Sequence, residues 1–238
     1  MTTVVISQPM YFPWVGFMAQ MALADVYIWL DDAAYSKGSF TNRVQVKTPK
    51  GRGWLTLPVK VSGLSTEICD LTLSKNVQAS HRDTLKGMLK NAPFVADALR
   101  AFDATWAVSN GLCDTIIVSA MEQAQAIEID CPAPLRSSAI DVPSKGSARV
   151  LDLVTAVGGT RYLTGHGAAG YLDHKAFEAT GIAVEYMDYD VPAWPQCYGA
   201  FTPYVSALDM IAHIPSDARM SYIRPATLAW RNFLDQRT

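Results

Sequence analysis

ISQPMYFPWVGFMAQMALADVYIWLDDAAYSKGSFTNR, from Ile6 to Arg43, is the stretch that decides how the chain is read. An apolar run from Thr3 to Ser7 leads into it and reads as a buried strand. The run breaks at Gln8-Pro9. Pro9 and Pro13 bracket Met10-Tyr11-Phe12, remove amide donors and push the preceding residues towards extended geometry. Trp14 to Leu23 is apolar nearly all round, as a buried helix is. Ala24-Asp25 turns the chain, and Val26 to Leu30 returns it as a strand ending on Asp31 and Asp32. Strand, helix, strand in that order favours a parallel pair with a right-handed crossover. In open sheets of this kind ligands bind beyond the carboxyl ends of the strands.

Outward from this unit the pattern changes. Arg43 to Lys47 and Trp54 to Val59 alternate polar and apolar residues around the turn-rich Pro49 to Gly53, which predicts a β-hairpin. Its polar face carries Arg43, Gln45 and Lys47 at period two, either a solvated face or an anion-facing strip at the edge of the crevice. Glu67 to Leu73 reads as a short strand. His81 to Asn91, Phe94 to Phe102 and Asn110 to Ile129 read as three consecutive helices. They break the β–α alternation and predict a helical insertion or cap over about residues 78–130. Leu135 to Ile140 is a further strand. Ser147 to Val157 is a helix stopped by Gly158-Gly159. Arg161 to Thr164, Gly165-His166-Gly167, a helix from Ala168 to Thr180 and a strand from Ile182 to Met187 repeat the strand–loop–helix–strand unit. The proline- and aromatic-rich tail must wrap over the core, Val205 to His213 is a helix, and Arg219 to Thr238 closes with a helix around Trp230. The expectation is one α/β domain over 1–238, with a Rossmann-like mixed or mainly parallel sheet and a helical insertion.

Composition narrows the function. The chain has 238 residues, half of them hydrophobic, 18% charged, with a net charge of −2, enough for a proper core and without the basic block of a nucleic-acid binder. Cys69, Cys113, Cys131 and Cys197 are scattered, form no CxxC pair and offer no clustered zinc ligands. No cysteine has a partner base near it in sequence, which argues against thiol nucleophile chemistry. Met1-Thr2-Thr3 leads straight into a strand and no window is long and apolar enough to span a bilayer. A cytoplasmic protein with reduced thiols is expected.

The candidate site residues cluster at the predicted strand ends. Asp32 is a candidate base, although either Asp31 or Asp32 serves equally well as a turn cap, and neighbours on a strand point oppositely. Gln8 is a buried amide that binds a ligand or braces the proline loop, in which Tyr11 and Trp14 are further candidate contacts. Asn42, Arg43 and Lys47 suit an anion, with a surface salt bridge the plainer use of Arg43. Gly165 and Gly167 open a predicted helix, where free amides attract anions; His166 between them is a candidate acid or base, and Tyr171 follows. The turn is neither a dinucleotide fingerprint nor a P-loop, and HExxH, GxSxG and paired carboxylates are missing. His81, His174 and His213 lie on amphipathic helices as surface or boundary residues.

These residues carry a resemblance. ISQPMYFPWVGF, Asp31-Asp32 to Tyr35-Ser36, Phe40 to Arg43, Trp54 to Pro58, YLTGHGAAGYL (Tyr162 to Leu172), and Phe201 to Pro203 with Ser206 and Asp209 resemble the WbqC-like family over almost the whole chain. That resemblance implies a role in bacterial surface-polysaccharide (O-antigen) or related biosynthesis, with aminoacyl (glycyl-like) or acyl transfer to an amino sugar or small amine. The middle helices and His166 depart from the expected pattern. The opening also resembles the nucleotide-binding half of adenylyl-transferring enzymes, whose HxGH motif would fall at Pro13 to Phe17; both histidines are absent. Three readings stand: a transferase using an activated acyl or aminoacyl donor, an ATP-binding nucleotidyl transferase, and a non-catalytic carbohydrate- or partner-binding module. The expected partner is a small molecule, a nucleotide-sugar among the candidates, with no metal. The enzyme readings rest on the tip of the first strand and the glycine turn opening onto one hollow.

Overall fold

The computed structural model describes residues 1–63, 65–107 and 111–237. Strand β1 (Thr3–Ser7), helix α1 (Val15–Met21) and strand β2 (Val26–Trp29) form the opening unit as its sequence predicts. The hairpin follows as β3 (Arg43–Thr48) and β4 (Gly51–Thr56). Its register is regular from Arg43↔Thr56 to Thr48↔Gly51, so the linker is a two-residue turn at Pro49-Lys50. Gly51 takes φ 103°, which only glycine adopts without strain. The predicted strand at Glu67 to Leu73 is instead a 3₁₀ turn (Ile68–Asp70) and a short β6 (Thr72–Leu73), which pairs with β5 (Val59–Lys60).

Helices α2 (Gln78–Met88), α3 (Val95–Ala107) and α4 (Leu112–Ile127) make up the helical middle; the predicted start of the third at Asn110 lies outside the described residues. Short β7 (Leu135–Arg136), α5 (Gly146–Ala156), β8 (Arg161–Thr164), α6 (His174–Ala179) and β9 (Ala183–Met187) come next. The chain finishes with α7 (Ala207–His213), β10 (Thr227–Ala229) and α8 (Trp230–Asp235).

The main sheet has the order β10-β9-β8-β1-β2-β7, parallel except for β10. Alternate residues of each strand serve opposite cores, as the two-residue strand period requires. Val5, Tyr27, Trp29, Leu163 and Met187 face the side covered by α1–α4 and α7. Val4, Ile6, Ile28, Tyr162, Val184 and Tyr186 face the side covered by α5, α6 and α8. The result is a three-layer α/β architecture of Rossmann-like type. The middle helices are one of its layers, since Phe102, Ile116 and Ala120 share a core cluster with Val5 and Trp29.

The topology has one consequence for ligands. From β1 the chain moves one way to β2 and β7, then crosses back to place β8 on the other side of β1. The β1/β8 boundary is therefore the point where strand order reverses, the usual mouth of such a sheet. Gln8 and Gly165 follow the ends of these parallel neighbours and share one edge.

Candidate functional site

The proline loop is held from a distance because its own residues cannot pair locally. Phe12 N–H donates to the Ser119 hydroxyl at 2.9 Å. The Pro13 carbonyl accepts from Gln123 Nε2 at 3.2 Å and from Ala207 N–H at 2.9 Å. Ser119 and Gln123 stand four apart on α4, hence on one face, and both are fully buried. Phe12 is forced to φ 43°, a conformation that costs a non-glycine residue energy. The clamp turns Tyr11 inwards, where its hydroxyl meets His81 Nδ1 at 3.1 Å, so this predicted ligand contact lies in the core.

At the reversal point Gln8 is exposed and not the buried amide expected. The hollow beyond it is filled. A Cβ on Gly165 would stand 3.0 Å from the Tyr189 hydroxyl, so the glycine admits a tyrosine of the tail where a ligand was expected. The Tyr189 ring lies 5.0 Å from His166 and 4.8 Å from Trp14. Burial raises the Tyr189 phenol to about 12, leaving it neutral. The helix predicted from Ala168 is also absent: a 3₁₀ turn covers His166–Gly170, and α6 begins only after Asp173, whose carboxylate caps Ala176 N–H at 3.2 Å. No helix dipole stands behind Gly165 and Gly167. Tyr171 is exposed and stacks on none of these rings.

His166 is exposed, and its Nε2 lies 2.7 Å from the Met187 carbonyl. A carbonyl only accepts, so Nε2 carries the proton and the neutral ring keeps its lone pair on Nδ1. No described group bonds that Nδ1, which makes it competent to take a proton.

The two carboxylates behave differently from expectation. β2 ends at Trp29, so Asp31 and Asp32 lie past the pleat and turn towards the same segment. Asp31 is fully buried, accepting from Ser138 N–H at 3.0 Å and from the Ser138 hydroxyl at 2.9 Å, with Arg136 3.7 Å away. Asp32 accepts from Ser137 at 2.6 Å and pairs with Arg149. Both Asp32 oxygens already face donors; the pair fastens β2 to the turn after β7.

Open space lies along the hairpin. A cavity of about 660 Å³ is lined by Tyr35, Lys37, Asn42 and Arg43 among others, and no carboxylate occurs among the described lining residues. Arg43 has no acidic partner among the described residues; its guanidinium lies over the Trp54 ring, 4.3 Å from the centroid. Asn42 donates to the Leu57 carbonyl at 2.9 Å, while its buried Oδ1 and the Arg43 Nε have no partner among the described residues. Unpaired buried polar atoms are costly, so both atoms retain hydrogen-bonding capacity.

Beside it lies an apolar cavity of about 290 Å³, lined by Met10, Trp14, Phe40, Gln45 and Tyr204. Phe40 is 45% exposed, Trp54 43% and Tyr204 55%, and they gather on one surface. Phe40 and Trp54 are 5.9 Å apart, Trp14 and Tyr204 5.4 Å. Aromatic faces thus run from His166 through Tyr189, Trp14 and Tyr204 to Phe40, Trp54 and Arg43. Gly16 keeps Trp14 in this line, since a Cβ there would stand 2.2 Å from the indole.

The polar strip of β3 divides along this groove. Arg43 faces the large cavity and Gln45 the apolar one. Lys47 is buried beneath the tail, donating to Gln196 Oε1 and Gly199 O at 3.1 Å and to Ala200 O at 2.6 Å. The tail covers this face, with Ser206 N–H donating to the Gln45 carbonyl at 2.9 Å. Of the predicted site residues, Trp14, Asn42 and Arg43 come together here; Gln8, His166, Gly165 and Gly167 lie at the filled strand edge. The contributions of Tyr35, Lys37, Phe40, Trp54 and Tyr204 were not anticipated. The exposed aromatics flanking the hairpin are the only sequence signal for them.

Fold and groove together define a Rossmann-like α/β protein with a basic cavity and an aromatic-walled apolar cavity side by side along the hairpin. The match to the WbqC-like protein family spans residues 8–221, and the chain belongs to that family. It is also similar to "Uncharacterized protein Rv1507c" of Mycobacterium tuberculosis (strain ATCC 25618 / H37Rv), 27% identical over 227 residues that cover 92% of this chain and 96% of that protein. No solved structure matches the chain. Among the described residues, no helix is long and apolar enough to cross a membrane.

Proposed function

We propose that this protein is a transferase that moves an aminoacyl or acyl group onto an amino sugar or similar small amine, presented on a phosphate-bearing carrier such as a nucleotide-sugar. The family resemblance suggests surface-polysaccharide or related biosynthesis as its setting. One observation carries the reading: the hairpin cavity pairs Lys37 and Arg43 with no carboxylate, and Asn42 beside them has a spare acceptor. Arginine recognises phosphate through paired N–H donors, and an amide oxygen takes a sugar hydroxyl or amine proton. The exposed Phe40, Trp54 and Tyr204 offer apolar faces to a sugar or base ring.

His166 has a free Nδ1 that can accept a hydrogen bond from the acceptor amine and orient it, whereas Asp32 is spent on Ser137 and Arg149. A nucleotide at the first loop is disfavoured, because Trp14 and Tyr189 occupy that edge. The exposed aromatics favour a carbohydrate-binding module as the second reading, which differs in predicting no turnover.

Thermal stabilisation by UDP- and dTDP-amino sugars tests this, since a ligand that binds only the native state raises stability by mass action. The free amino sugar stabilises less, and Arg43→Ala removes most of the effect. Equal stabilisation of wild type and Arg43→Ala contradicts the assignment.

A further inference from the structure

The tail that covers Lys47 carries a group of side chains with no part in the reading above. Cys197 Sγ lies 3.4 Å from His213 Nε2. His213 Nδ1 lies 2.8 Å from the Asp209 carbonyl oxygen, one helical turn back on α7, and 3.6 Å from Asp209 Oδ1. A carbonyl only accepts, so Nδ1 carries the proton and Nε2 presents its lone pair to the thiol. The Asp209 carboxylate is fixed in turn by the Trp194 indole N–H at 2.7 Å. His213 and Asp209 are buried, while Cys197 keeps part of its surface open to solvent. The order is thiol, base and orienting acceptor, here the Asp209 main-chain carbonyl with its carboxylate close by, an arrangement like that by which enzymes activate a nucleophile.

The surroundings fit a nucleophile more closely than a packed thiol. Tyr198, directly after the cysteine, sits at φ 64° and Gly199 at 82°, so the thiol stands at the start of a sharp turn that holds a non-glycine residue in a costly conformation. Lys47 holds that turn through Gly199 and Ala200 and lies close enough to favour the thiolate. Burial and the Asp209 charge act the other way and push the Cys197 thiol up, so the resting sulfur is a protonated thiol facing His213 Nε2.

We propose that Cys197 is an acyl-carrying nucleophile, with His213 its general base and Asp209 a positioning residue, and that its substrate is an activated acyl or aminoacyl ester, thioester or acyl phosphate. His213 Nε2 takes the thiol proton as sulfur attacks the carbonyl carbon. The new carbon–sulfur bond forms, the bond to the leaving group breaks, and the imidazolium proton passes to that leaving group. An incoming amine then attacks the thioester, gives its proton to His213 and releases the thiol. Without an amine, water does the same. Arg43, Gln45 and Lys47 share one face of β3, with Arg43 at the hairpin cavity and Lys47, about 13 Å along the strand, bonded to the turn that follows the thiol. The proposal rests on the transferase reading only for the identity of the amine; formation of the thioester does not need it.

The test uses p-nitrophenyl acetate on the full chain, without any nucleotide-sugar, so its outcome is separate from that of the Arg43 experiment. Wild type releases a burst of one nitrophenolate per chain, and acid-quenched peptide mapping finds the acetyl group on Cys197. Cys197→Ser abolishes the burst. His213→Gln slows it by about 100-fold or more, the usual contribution of a general base. Asp209→Asn preserves an acceptor for Trp194; it slows acetylation of Cys197 while the melting temperature and the alkylation rate of the partly exposed Cys69 stay at wild-type values. Should His213→Gln fail to fold, Cys197→Ser and Asp209→Asn still decide. Acetylation of Cys197 no faster than that of Cys69, or a burst unchanged in the variants that fold, overturns the proposal.

Discussion

Replacing Asp31 separates a structural carboxylate from a chemical one. Its side chain has no exposed surface, holds the Ser138 N–H and hydroxyl at 3.0 and 2.9 Å, and faces Arg136. Hydrogen bonds to a charged group contribute about 1.5–3 kcal/mol each, non-additively, and breaking a buried charged pair costs about 3–5 kcal/mol. Arg136 remains partly exposed and can be rehydrated, so the lower half of that range applies to the pair, and Asp31→Ala is expected to cost about 3–5 kcal/mol in all. For a chain of this size that lowers the melting temperature by about 6–20 °C. Asp31→Asn retains an acceptor for Ser138 N–H and loses about half as much. Differential scanning calorimetry reads both. A melting temperature within about 2 °C of wild type, together with loss of transfer activity, refutes the reasoning, because the carboxylate would then be serving chemistry.

Four further outcomes follow from the same geometry. Arg219, only 3% exposed, donates to the Ile214, Ala126 and Ile211 carbonyls and pairs with Asp97; Arg219→Leu is expected to destabilise by about 3–5 kcal/mol in urea denaturation. Lys47→Met leaves the Gly199 and Ala200 carbonyls unpaired, so limited proteolysis is expected to cut at residues 196–200 far faster than in wild type. Gly16→Ala displaces the Trp14 indole from the groove and is expected to weaken nucleotide-sugar binding about 10-fold in calorimetry, with Arg43 untouched. Burial lowers the pKa values of His81 and His174 from 6.5, so the fold holds them neutral while the unfolded chain takes up protons near 6.5. Their contribution to stability is full above that value and is lost as pH falls through 6.5 towards the folded values; melting curves from about pH 7.5 to 5.5 should fall, and less steeply in His174→Phe.

The parts of the fold legible in sequence were those with a local cause. The apolar runs give β1 and β8 their bounds, and alternation gives the existence of the β3–β4 hairpin, although β4 begins at Gly51 and ends at Thr56 where Trp54 to Val59 is expected, because glycines carry the strand through the linker. The helix predicted from Ala168 starts only at His174 because Asp173 caps it, a local signal masked by the apolar glycine-rich run before it. Residues whose environment depends on distant partners were read less well. His81, His174 and His213 sit on amphipathic helices yet are buried, because Tyr11, Tyr186 and Cys197 meet their ring nitrogens. Asp31 and Asp32 converge through serines more than a hundred positions later. Thiol chemistry looked unsupported because Cys197 lies sixteen residues from His213, although Asp209 and His213 at helical i, i+4 spacing were a visible hint. The filling of the β1/β8 hollow depended on Tyr189, a tail residue whose destination no periodicity encodes.

The most direct measurement is a crystal structure of the protein soaked with UDP-amino sugar. The account predicts the phosphates within hydrogen-bond reach of the Arg43 guanidinium, a sugar hydroxyl or amine on Asn42 Oδ1, and a ring against Trp54 or Phe40. Phosphates bound at the Gly165–Gly167 turn with Tyr189 swung aside, and an empty hairpin cavity, would contradict it.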